Sequence, residues 1–549
     1  MILNVNVGIL GHVDSGKTSL SKALSTVAST AAFDKNPQSQ KRGITLDLGF
    51  SSFTVDGNIP SHLAPAEAIQ VTLVDCPGHA SLIRTIICGA HIIDLMLLVV
   101  DVNKGFQTQT AECLVIGELT CEALLVVLNK IDLILPEKRD ERISKMKVRI
   151  AKTLESTKFK NAPIVALSAV QSDRLAEGDF SRGMEELVEA LLSVLPDPRP
   201  RCKYLSSLPF LFAVDHCFSV SGQGTVLTGT VLRGCVRTNE TVEIPQYKLK
   251  KKIKSMQMFR KPIDAIHPGD RAGICIAQLD SSLMERGFLA APDSLATCQA
   301  CLLSEVRKIA YFKGPVRSKS RFHVSIGQDT VLARITCLRL IGGCQQQGQT
   351  KEEFEYAEEL SDEGEEVGQT NLLLEFDTPV VSPISGLVIG SRLDTDPLSP
   401  SCRLAFHGSV LRVYSSAEEF RTTLSVYRHK SRRGEVERVT DPRSCIVRGL
   451  FKRETNWDIF TGLKVDICSP DNSVSVPGIV EGSFGQSGKC RVRLSSNLPE
   501  NIVNQFGGKS GKRSAKANDG SQSSERGQQL QVILNFKKHV FDATKRFVQ

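Results

Sequence analysis

The first 200 residues alternate short apolar runs with longer amphipathic stretches. Apolar runs bounded by polar turns are typical of buried strands, and they occur at residues 2–10, 70–74, 95–101, 124–133 and 164–169. Stretches with helical spacing lie between or after them, as at 108–119 and 184–195. This alternation predicts an α/β domain with a doubly wound, mostly parallel sheet. The Pro-rich stretch 196–200 marks its end.

Beyond residue 200 the pattern changes to short β-rich runs separated by Gly, Pro and Asp, which predicts small β-barrels. One barrel is expected at 208–295 and a second at 296–415, followed by a basic β-rich part from residue 421. We expect a disordered insertion at about 342–370, where Gln, Glu and Gly dominate, and a polar linker at about 507–529. The predicted domains are therefore 1–200, 201–295, 296–418 and 419–549.

Composition indicates a globular protein with several cores, since 41% of its 549 residues are hydrophobic and 23% are charged. No run of about 18 uninterrupted apolar residues is present, so we expect no membrane partner. The 16 cysteines are scattered, which favours reduced thiols. Cys298 and Cys301 form one CxxC pair, and buried free thiols explain it better than zinc. We expect a cytoplasmic monomer, with a nuclear pool left open.

The net charge of +8 is distributed unevenly along the chain. From Arg421 to the end, 23 Lys and Arg against 12 Asp and Glu give +11, which leaves −3 on the preceding 420 residues. A basic C-terminal part attached to a nearly neutral body points to a polyanion, and nucleic acid is the first candidate. From charge alone, a solvated basic surface is an equally good explanation.

The stretch GHVDSGKT follows the first predicted strand and opens a helix, as in a phosphate-binding loop. Gly11 and Gly16 allow backbone N–H groups to turn toward phosphate oxygens, and Lys17 reaches the β and γ phosphates. The Thr18 hydroxyl is a ligand for Mg²⁺. The predicted nucleotide contacts in this stretch are Gly11, His12, Asp14, Ser15, Gly16, Lys17, Thr18 and Ser19.

Two further segments complete a triphosphate site. Thr45, in RGITLDLGF, is expected to bring its hydroxyl and carbonyl to Mg²⁺ and the γ-phosphate, in a loop that orders on the triphosphate form. The next predicted strand ends in DCPGH, where Asp75 is the second Mg²⁺ anchor. Gly78 lets a backbone N–H approach the γ-phosphate, and His79 is placed to orient the attacking water. Lys17, Thr45 and His79 are thus the predicted catalytic residues.

A third segment is predicted to recognise the base of the nucleotide. The run 124–133 delivers Asn129, Lys130 and Asp132 to the carboxyl end of a strand, the edge where parallel sheets bind ligands. A carboxylate there accepts both N1–H and N2–H of guanine, which adenine cannot supply. Ser168 and Ala169, at the end of the next run, are expected to support the guanine O6 through backbone N–H groups. The predicted ligands are therefore GTP, GDP and Mg²⁺.

These motifs carry a family resemblance. RGITLDLGF, DCPGH and NKID, followed by GQGTVLTGTV at 222–231, resemble translational GTPases of the elongation factor Tu type. Longer segments, AFDKNPQSQKRGITLDLGFSSF, DCPGHASLIRTII and VDHCFSVSGQGTVLTGTVL, resemble the eukaryotic selenocysteine-specific elongation factors. The resemblance extends from residue 5 to about 546 and is weakest at 64–67 and around 345–368. It implies a GTPase that delivers selenocysteyl-tRNA to the ribosome at recoded UGA codons, with His79 positioning the hydrolytic water when the ribosome engages.

The resemblance also implies an aminoacyl pocket formed by Asp215, His216 and Arg271 in the first barrel. A selenol is largely ionised at neutral pH, where a serine hydroxyl and a cysteine thiol are not. A cationic Arg271 together with His216 would therefore favour selenocysteine over both. Asp215 is expected either to meet an ammonium group or to fix His216. From residue types alone, these three would be surface strand residues.

For the basic C-terminal domain, the resemblance implies contacts with the long extra arm of the tRNA and with selenocysteine insertion element RNA, its binding protein, or both. Two alternatives stay open. One is another tRNA-binding translational GTPase, either a general elongation factor or the γ subunit of the initiator-tRNA factor. The other is a non-translational RNA-binding adaptor that uses GTP as a conformational latch.

Overall fold

The structure is a computed structural model that describes residues 2–25, 27–28, 48–57, 59–78, 85, 87, 92–170, 179–220, 222, 224–346, 349–361, 370–396, 401–453, 459–468, 475–485, 488–499, 530–541 and 549. The chain divides into two compact units. The first comprises Met1–Cys337 and Glu358–Ala417, and the second comprises Leu338–Ala357 and Glu418–Gln549. Thr45, His79 and the predicted linker at 507–529 lie outside the described residues.

A seven-stranded sheet organises the N-terminal domain, with the order β2-β3-β4-β1-β5-β6-β7. Its strands are β1 (Ile2–Leu10), β2 (Val27–Ala28), β3 (Gly49–Val55), β4 (Ala68–Asp75), β5 (Leu95–Asp101), β6 (Ala123–Asn129) and β7 (Ile164–Ala166). β4, β1, β5, β6 and β7 pair in parallel, while β3 is antiparallel to β4 and to β2. The predicted mostly parallel sheet is confirmed.

Helices cover both faces of this sheet: α1 (Lys17–Leu24), α2 (Thr108–Thr120), α3 (Pro136–Leu154) and α4 (Asp179–Val194). The alternating strand residues form two apolar clusters, because both faces are buried. One cluster packs against α2 and α3, and the other packs against α1 and α4. Among the described residues, no helix is long and apolar enough to span a membrane.

The connection to the first barrel is partly helical, since α5 (Arg199–Leu205) begins inside the Pro-rich stretch predicted as a linker. Pro198 and Pro200 fit there because the first positions of a helix need no intrahelical N–H donors. The guanidinium of Arg201 pairs with the buried carboxylate of Asp94, at the start of β5. The connection is therefore held against the N-terminal domain.

The first barrel consists of β8 (Leu211–Val220), β9 (Gly224–Arg233), β11 (Thr241–Ile244), β12 (Leu249–Met258), β13 (Lys261–Ile263), β15 (Arg271–Ile276) and β16 (Gly287–Ala290), while β10 (Val236–Arg237) and β14 (Ala265–Ile266) pair as a separate two-stranded sheet. The order β11-β16-β8-β9-β15-β12 closes on itself through a β11–β12 pairing. Gly229 allows β8 and β9 to pack closely, because a Cβ there would lie 2.0 Å from the Ala213 carbonyl oxygen.

The second barrel is formed by β17 (Thr297–Lys308), β18 (Arg321–Ile326), the first part of β19 (Asp329–Gln346), β21 (Thr370–Val381), β22 (Leu387–Ser391) and β23 (Leu404–Tyr414), with β20 (Gln349–Ala357) assigned to the second unit. A β18–β19 pairing closes it. Cys298 and Cys301 are buried in β17. Burial raises the pKa of Cys298 to about 11, so its thiol is protonated at neutral pH.

The second unit is a further closed barrel, in which β24 pairs with both β25 and β29. It contains most of α6 (Ala417–Thr423), then β24 (Ser425–Asp441), β25 (Ser444–Arg448), β26 (Lys464–Cys468), β27 (Ser475–Phe484), β28 (Lys489–Leu494) and β29 (Gln531–His539). Apolar side chains alternating along these strands fill its core. The predicted basic β-rich C-terminal domain is thus confirmed as a β-barrel.

The expectation of disorder throughout 342–370 is wrong for residues 342–346, which end β19, and for the later residues 349–357. Residues 349–357 form β20, which pairs in parallel with β24. Phe354 and Tyr356 are buried, alternating with Glu353 and Glu355 in the period-2 pattern of a half-buried strand. The guanidinium of Arg428 lies 3.5 Å from the Tyr356 ring centroid. The acidic composition of this stretch obscured the alternation in the sequence. Residues 362–369 lie outside the described residues.

One buried ion pair joins the second barrel to the N-terminal domain. Arg403, just before β23, donates from Nε and Nη2 to the two carboxylate oxygens of Glu112 on α2, at 3.0 and 2.7 Å. Its backbone N–H also donates to Glu112, and both side chains are only 4% exposed. Each charge is buried only because the other compensates it, so this pair fixes how the two domains meet.

We predict that Arg403→Met destabilises the first unit by about 3–5 kcal/mol, because Glu112 is left buried without its counter-charge. Arg412→Met is the matched control, since Arg412 lies exposed on β23. The double variant Arg403→Met/Glu112→Leu should recover most of the loss. Urea unfolding of the full chain measures the effect. Equal destabilisation by Arg403→Met and Arg412→Met would show that the loss does not come from the unpaired Glu112 carboxylate.

Candidate nucleotide and aminoacyl sites

The loop between β1 and α1 has the backbone geometry of a phosphate cradle. Gly11, Asp14 and Gly16 have φ values of 150°, 60° and 93°. A Cβ on Gly16 would lie 2.2 Å from the Asn129 side-chain nitrogen, so only glycine fits there. The loop leads into the N-terminus of α1, whose unpaired N–H groups favour an anion. Asp14 is exposed, while Ser19 is half-buried on the helix.

Lys17 lies at the centre of this loop and is 6% exposed. Its Nζ donates to the His12 carbonyl oxygen at 2.7 Å. Burial lowers the pKa of Lys17, and the nearby Asp75 opposes that shift. A Cβ on Gly78 would lie 2.2 Å from the same Nζ and 3.0 Å from the His12 backbone, so the turn after β4 approaches the lysine closely. The structure therefore brings Lys17 and Gly78 together, at the position predicted for the γ-phosphate.

Thr18 and Asp75 also meet. The Thr18 hydroxyl donates to a carboxylate oxygen of Asp75 at 2.7 Å, and Asp75 is only 1% exposed. A hydroxyl and a carboxylate are hard oxygen ligands of the kind Mg²⁺ takes alongside substrate phosphates. The donor set therefore fits Mg²⁺, and the third predicted ligand, Thr45, lies outside the described residues.

Asn129 links the predicted base site to the phosphate loop. Its Nδ2 donates to the Ser15 carbonyl oxygen at 2.8 Å, and its Oδ1 accepts the Ala169 N–H at 2.9 Å. In this structure Ala169 thus holds Asn129, whereas its predicted role was a contact with the guanine O6. The Ser168 hydroxyl donates to the Asp132 carboxylate at 2.8 Å, which orients the carboxylate predicted to read guanine.

Lys130 adopts a left-handed backbone conformation, with φ of 69°, immediately after β6. Its ammonium lies 3.1 Å from the Asp101 carboxylate at the end of β5. Although burial opposes it, the Asn103 N–H and Lys130 lower the pKa of Asp101. The neighbouring strand ends therefore support each other around the predicted base site.

Buried polar atoms in the loop indicate a polar ligand. Among the described residues, both ring nitrogens of His12 and the Ser15 hydroxyl oxygen are buried without a hydrogen-bond partner. Buried polar groups are normally paired, so these atoms are suited to a bound phosphate or its water shell. Burial, followed by the nearby Lys17, lowers the pKa of His12 to about 4. Its imidazole is therefore neutral at physiological pH.

The first barrel contains a second polar cluster, built on Asp215 of β8. Arg271 of β15 donates to its two carboxylate oxygens at 2.6 and 3.1 Å, with both side chains buried. His216 Nδ1 lies 2.9 Å from the same carboxylate, and the Thr228 hydroxyl donates to it at 2.9 Å. The three residues predicted for the aminoacyl pocket are therefore in direct contact.

Asp215 remains a carboxylate in this cluster. Although burial would raise its pKa, Arg271 and the His216 hydrogen bond lower it to about 2. Because a carboxylate only accepts hydrogen bonds, His216 carries a proton on Nδ1. Asp215 thus fixes His216, which is one of the two roles expected from the sequence. The charges of Asp215 and Arg271 cancel within the cluster.

A cavity of about 250 Å³ opens beside this cluster. Arg271, Thr228, Gln257, Arg260 and Cys275 contribute to its lining. Asp215 and His216 are not among the described residues that line it, so Arg271 is the member of the cluster that reaches the cavity. The sequence did not single out Thr228, although it lies in the segment GQGTVLTGTV. Its hydrogen bond to Asp215 depends on the strand register, which pairs Thr228 with His216.

Comparison with known proteins defines the class first. Residues 3–197 match the family described as Elongation factor Tu GTP binding domain, and residues 224–290 match Elongation factor Tu domain 2. The chain thus has the domains of a translational GTPase. Residues 303–408 match the third domain of eukaryotic selenocysteine-specific elongation factors, and residues 422–545 match the eEFSec C-terminal RIFT domain.

Full-length relatives identify the family. The mouse selenocysteine-specific elongation factor is 46% identical, over all of this chain and 99% of its own. The Methanocaldococcus jannaschii selenocysteine-specific elongation factor is 32% identical over 88% of this chain and 93% of its own. The chain belongs to the selenocysteine-specific elongation factor family. Translation elongation factor SelB from Methanococcus maripaludis, crystallised with a GTP analogue, has a similar structure with a TM-score of 0.67 at 25% identity, covering 98% of each chain.

We predict that acid weakens the nucleotide-free protein through His12. Its pKa is about 4 in the folded state against 6.5 ordinarily, so protonation of the unfolded chain favours unfolding as pH falls from 6.5 toward 4. The contribution of His12 to the free energy of unfolding is at its full value well above pH 6.5. It decreases by about 1 kcal/mol over the first pH unit below 6.5. The measurement is the free energy of unfolding of the wild type and of His12→Asn at pH 7.5, 6.5 and 5.5. If the two free energies fell in parallel with pH, His12 would not be the source of the acid sensitivity.

Proposed function

We propose that the chain is a GTP-dependent elongation factor that binds selenocysteyl-tRNA, delivers it to the ribosome at recoded UGA codons, and hydrolyses GTP to GDP and phosphate. The observation that carries this proposal is the Asp215, His216 and Arg271 cluster beside a cavity, in the same compact unit as a guanine-nucleotide loop. Membership in the selenocysteine-specific family supports the choice of amino acid. The two alternatives have no specific observation in their favour.

In the nucleotide site, Gly11–Ser19 would bind the phosphates, while Asn129, Lys130, Asp132, Ser168 and Ala169 would hold guanine. Thr18, Asp75 and Thr45 would hold Mg²⁺, which when bound neutralises charge on the phosphates. Lys17 would stabilise negative charge that develops on the phosphate oxygens, and His79 would orient water for attack. Catalysis of this kind depends on positioning and on charge stabilisation, and we infer that the ribosome stimulates it by completing the site.

In the aminoacyl site, Arg271 faces the cavity and is held in place by Asp215. A selenolate entering the cavity brings one negative charge to a cluster in which Asp215 and Arg271 already cancel. The Arg271 guanidinium at the cavity, with His216 beside it, would attract that charge through charge-assisted hydrogen bonds, whereas an uncharged seryl group offers no such gain. This difference in charge is how the site would distinguish selenocysteine from serine.

The basic barrel of the second unit would bind RNA through phosphate contacts, with a strong dependence on salt. Its proposed partners are the tRNA extra arm and the selenocysteine insertion element RNA, its binding protein, or both. We also propose that the domain division at residues 200, 295 and 418 follows these roles, and that the protein acts in the cytoplasm as a monomer.

The test of this function is protection of the aminoacyl ester. Selenocysteyl-tRNA and seryl-tRNA with the same tRNA body are incubated with the protein and GTP, GDP or no nucleotide, and spontaneous ester hydrolysis is followed. The proposal predicts strong protection of the selenocysteyl ester with GTP only. Equal protection of both esters would place recognition in the tRNA body, and protection of neither would favour the adaptor.

We predict that His79→Ala leaves GTP affinity within about twofold but lowers ribosome-stimulated hydrolysis at least about a hundredfold, the effect expected when a group that orients the attacking water is lost. Single-turnover GTP hydrolysis with and without ribosomes measures the rate, and nucleotide titration measures the affinity. Equal loss of GTP binding and hydrolysis would show that His79 holds the nucleotide instead.

A further inference from the structure

Phe484 lies on the outer face of the basic barrel. It is the last residue of β27, is half-buried, and does not belong to the interior cluster of the barrel. The guanidinium carbons of Arg438 on β24 and Arg491 on β28 lie 5.9 and 5.7 Å from the centroid of its ring. Both arginines are exposed. A partly exposed aromatic ring is therefore flanked by two cations at the surface.

These two arginines differ from the basic side chains around them. Three neighbours on the same barrel each pair with a carboxylate: Arg448 with Glu435 at 2.9 Å, Lys489 with Glu437 at 2.6 Å, and Arg493 with Glu481 at 3.9 Å. Within the part of the chain that the structure describes, Arg438 and Arg491 form no ion pair and meet the Phe484 ring instead. Their positive charges are thus left without a counter-charge there.

Ile446 forms an apolar floor between the two arginines. Cys445 and Val447 belong to the interior cluster, so the alternation of β25 directs Ile446 to the outer face. In the strand register Ile446 pairs with Arg438 on one side and with Arg491 on the other. Cross-strand neighbours have Cβ atoms about 5 Å apart. Ile446 is only 1% exposed, so the aliphatic stems of the arginines cover it.

Space remains beside the ring. The register pairs Arg491 with Gly482, two residues before Phe484 on β27. A Cβ on Gly482 would meet no atom of the described residues within 4 Å. At 5.9 and 5.7 Å neither guanidinium stacks on the ring, whereas in the same barrel Arg428 lies 3.5 Å from the Tyr356 ring centroid. The Phe484 ring is therefore accessible to another planar group.

A ring with these neighbours fits an unpaired nucleobase. Every base has a flat face that stacks on an aromatic side chain, largely independent of sequence. Arginines beside the ring add contacts with the phosphates on either side of the base, and cation–π contacts with the base itself. A base inside a duplex is already stacked on both faces, so double-stranded RNA would meet only the positive charges.

We propose that Phe484, together with Arg438 and Arg491, binds one unpaired nucleobase of single-stranded or looped RNA on the outer face of the basic barrel. The base stacks on the Phe484 ring, and the two guanidinium groups bind the adjacent phosphates. This inference rests on the proposed function for the choice of RNA as the ligand, and it adds to the phosphate contacts a site that distinguishes unpaired from paired RNA.

The experiment measures dissociation constants of the full chain for two probes. One is a single-stranded RNA of about 16 nucleotides without self-complementarity, and the other is the same strand paired with its complement. Phe484→Leu removes the ring but keeps an apolar side chain and every charge, while Phe484→Tyr keeps the ring. Arg491→Gln and Arg493→Gln each remove one exposed positive charge from the same face of β28, so Arg493→Gln is the matched control.

We expect Phe484→Leu to weaken binding of the single strand about five- to hundredfold, the range of one lost base–aromatic stack, while its affinity for the duplex stays within about twofold. The salt dependence of single-strand binding should not change in Phe484→Leu, because no phosphate contact is lost. Phe484→Tyr should bind like the wild type, and Arg491→Gln should weaken single-strand binding more than Arg493→Gln.

Unchanged single-strand affinity in Phe484→Leu, or equal losses for the single strand and the duplex, would overturn the stacking site and leave RNA binding by the barrel intact. Equal effects of Arg491→Gln and Arg493→Gln would overturn the part assigned to Arg491. A wild type that binds neither probe would overturn the proposed RNA-binding role of the barrel together with this inference.

A second measurement does not depend on affinity. The Ile446 methyl groups lie under the arginines that flank the ring, so the ring current of a stacked base shifts their NMR resonances. With the full chain we expect a shift at saturating single-stranded RNA, and none with an abasic oligomer of the same length. Equal shifts with both oligomers, or no shift with either, would show that no base stacks at Phe484.

Discussion

The structure depends on the carboxyl edge of one parallel sheet. Parallel strands end at the same edge, so the residues that follow β1, β4, β6 and β7 converge although they lie far apart in sequence. Asn129 links two of these segments directly. Its amide nitrogen donates to the Ser15 carbonyl oxygen in the loop after β1, and its amide oxygen accepts the Ala169 N–H. The residues predicted to contact the phosphates, Mg²⁺ and the base are thus parts of one hydrogen-bonded arrangement.

Two buried ion pairs involve the barrels. Asp215 with Arg271, and Glu112 with Arg403, are both bidentate pairs with little exposure. Such pairs contribute little net stability compared with apolar residues of the same shape, because burial removes their hydration. They do penalise any arrangement that separates the partners. Arg403 thereby specifies a domain contact, and Arg271 a side-chain orientation beside a cavity.

Local sequence motifs predicted the backbone geometry of the candidate nucleotide loop, since each motif consists of neighbouring residues with fixed backbone geometry. Gly16 and Lys17 needed only a strand before them and a helix after them. The aminoacyl cluster was different, because Asp215 and Arg271 are 56 positions apart and only family resemblance placed them together. Thr228 was missed since its contact with Asp215 depends on strand register. In β20, acidic composition hid the alternation of Phe354 and Tyr356.

If the first barrel recognises selenocysteine, the selenium atom binds beside Arg271. Selenium scatters X-rays anomalously, so a crystal of the full chain with a GTP analogue and a 3′-selenocysteyl-adenosine analogue locates it without phase bias. We expect one anomalous peak in the cavity, within about 4 Å of the Arg271 guanidinium, the distance limit of an ion pair. A peak elsewhere, with the analogue ordered and Arg271 still bound only to Asp215, would contradict it.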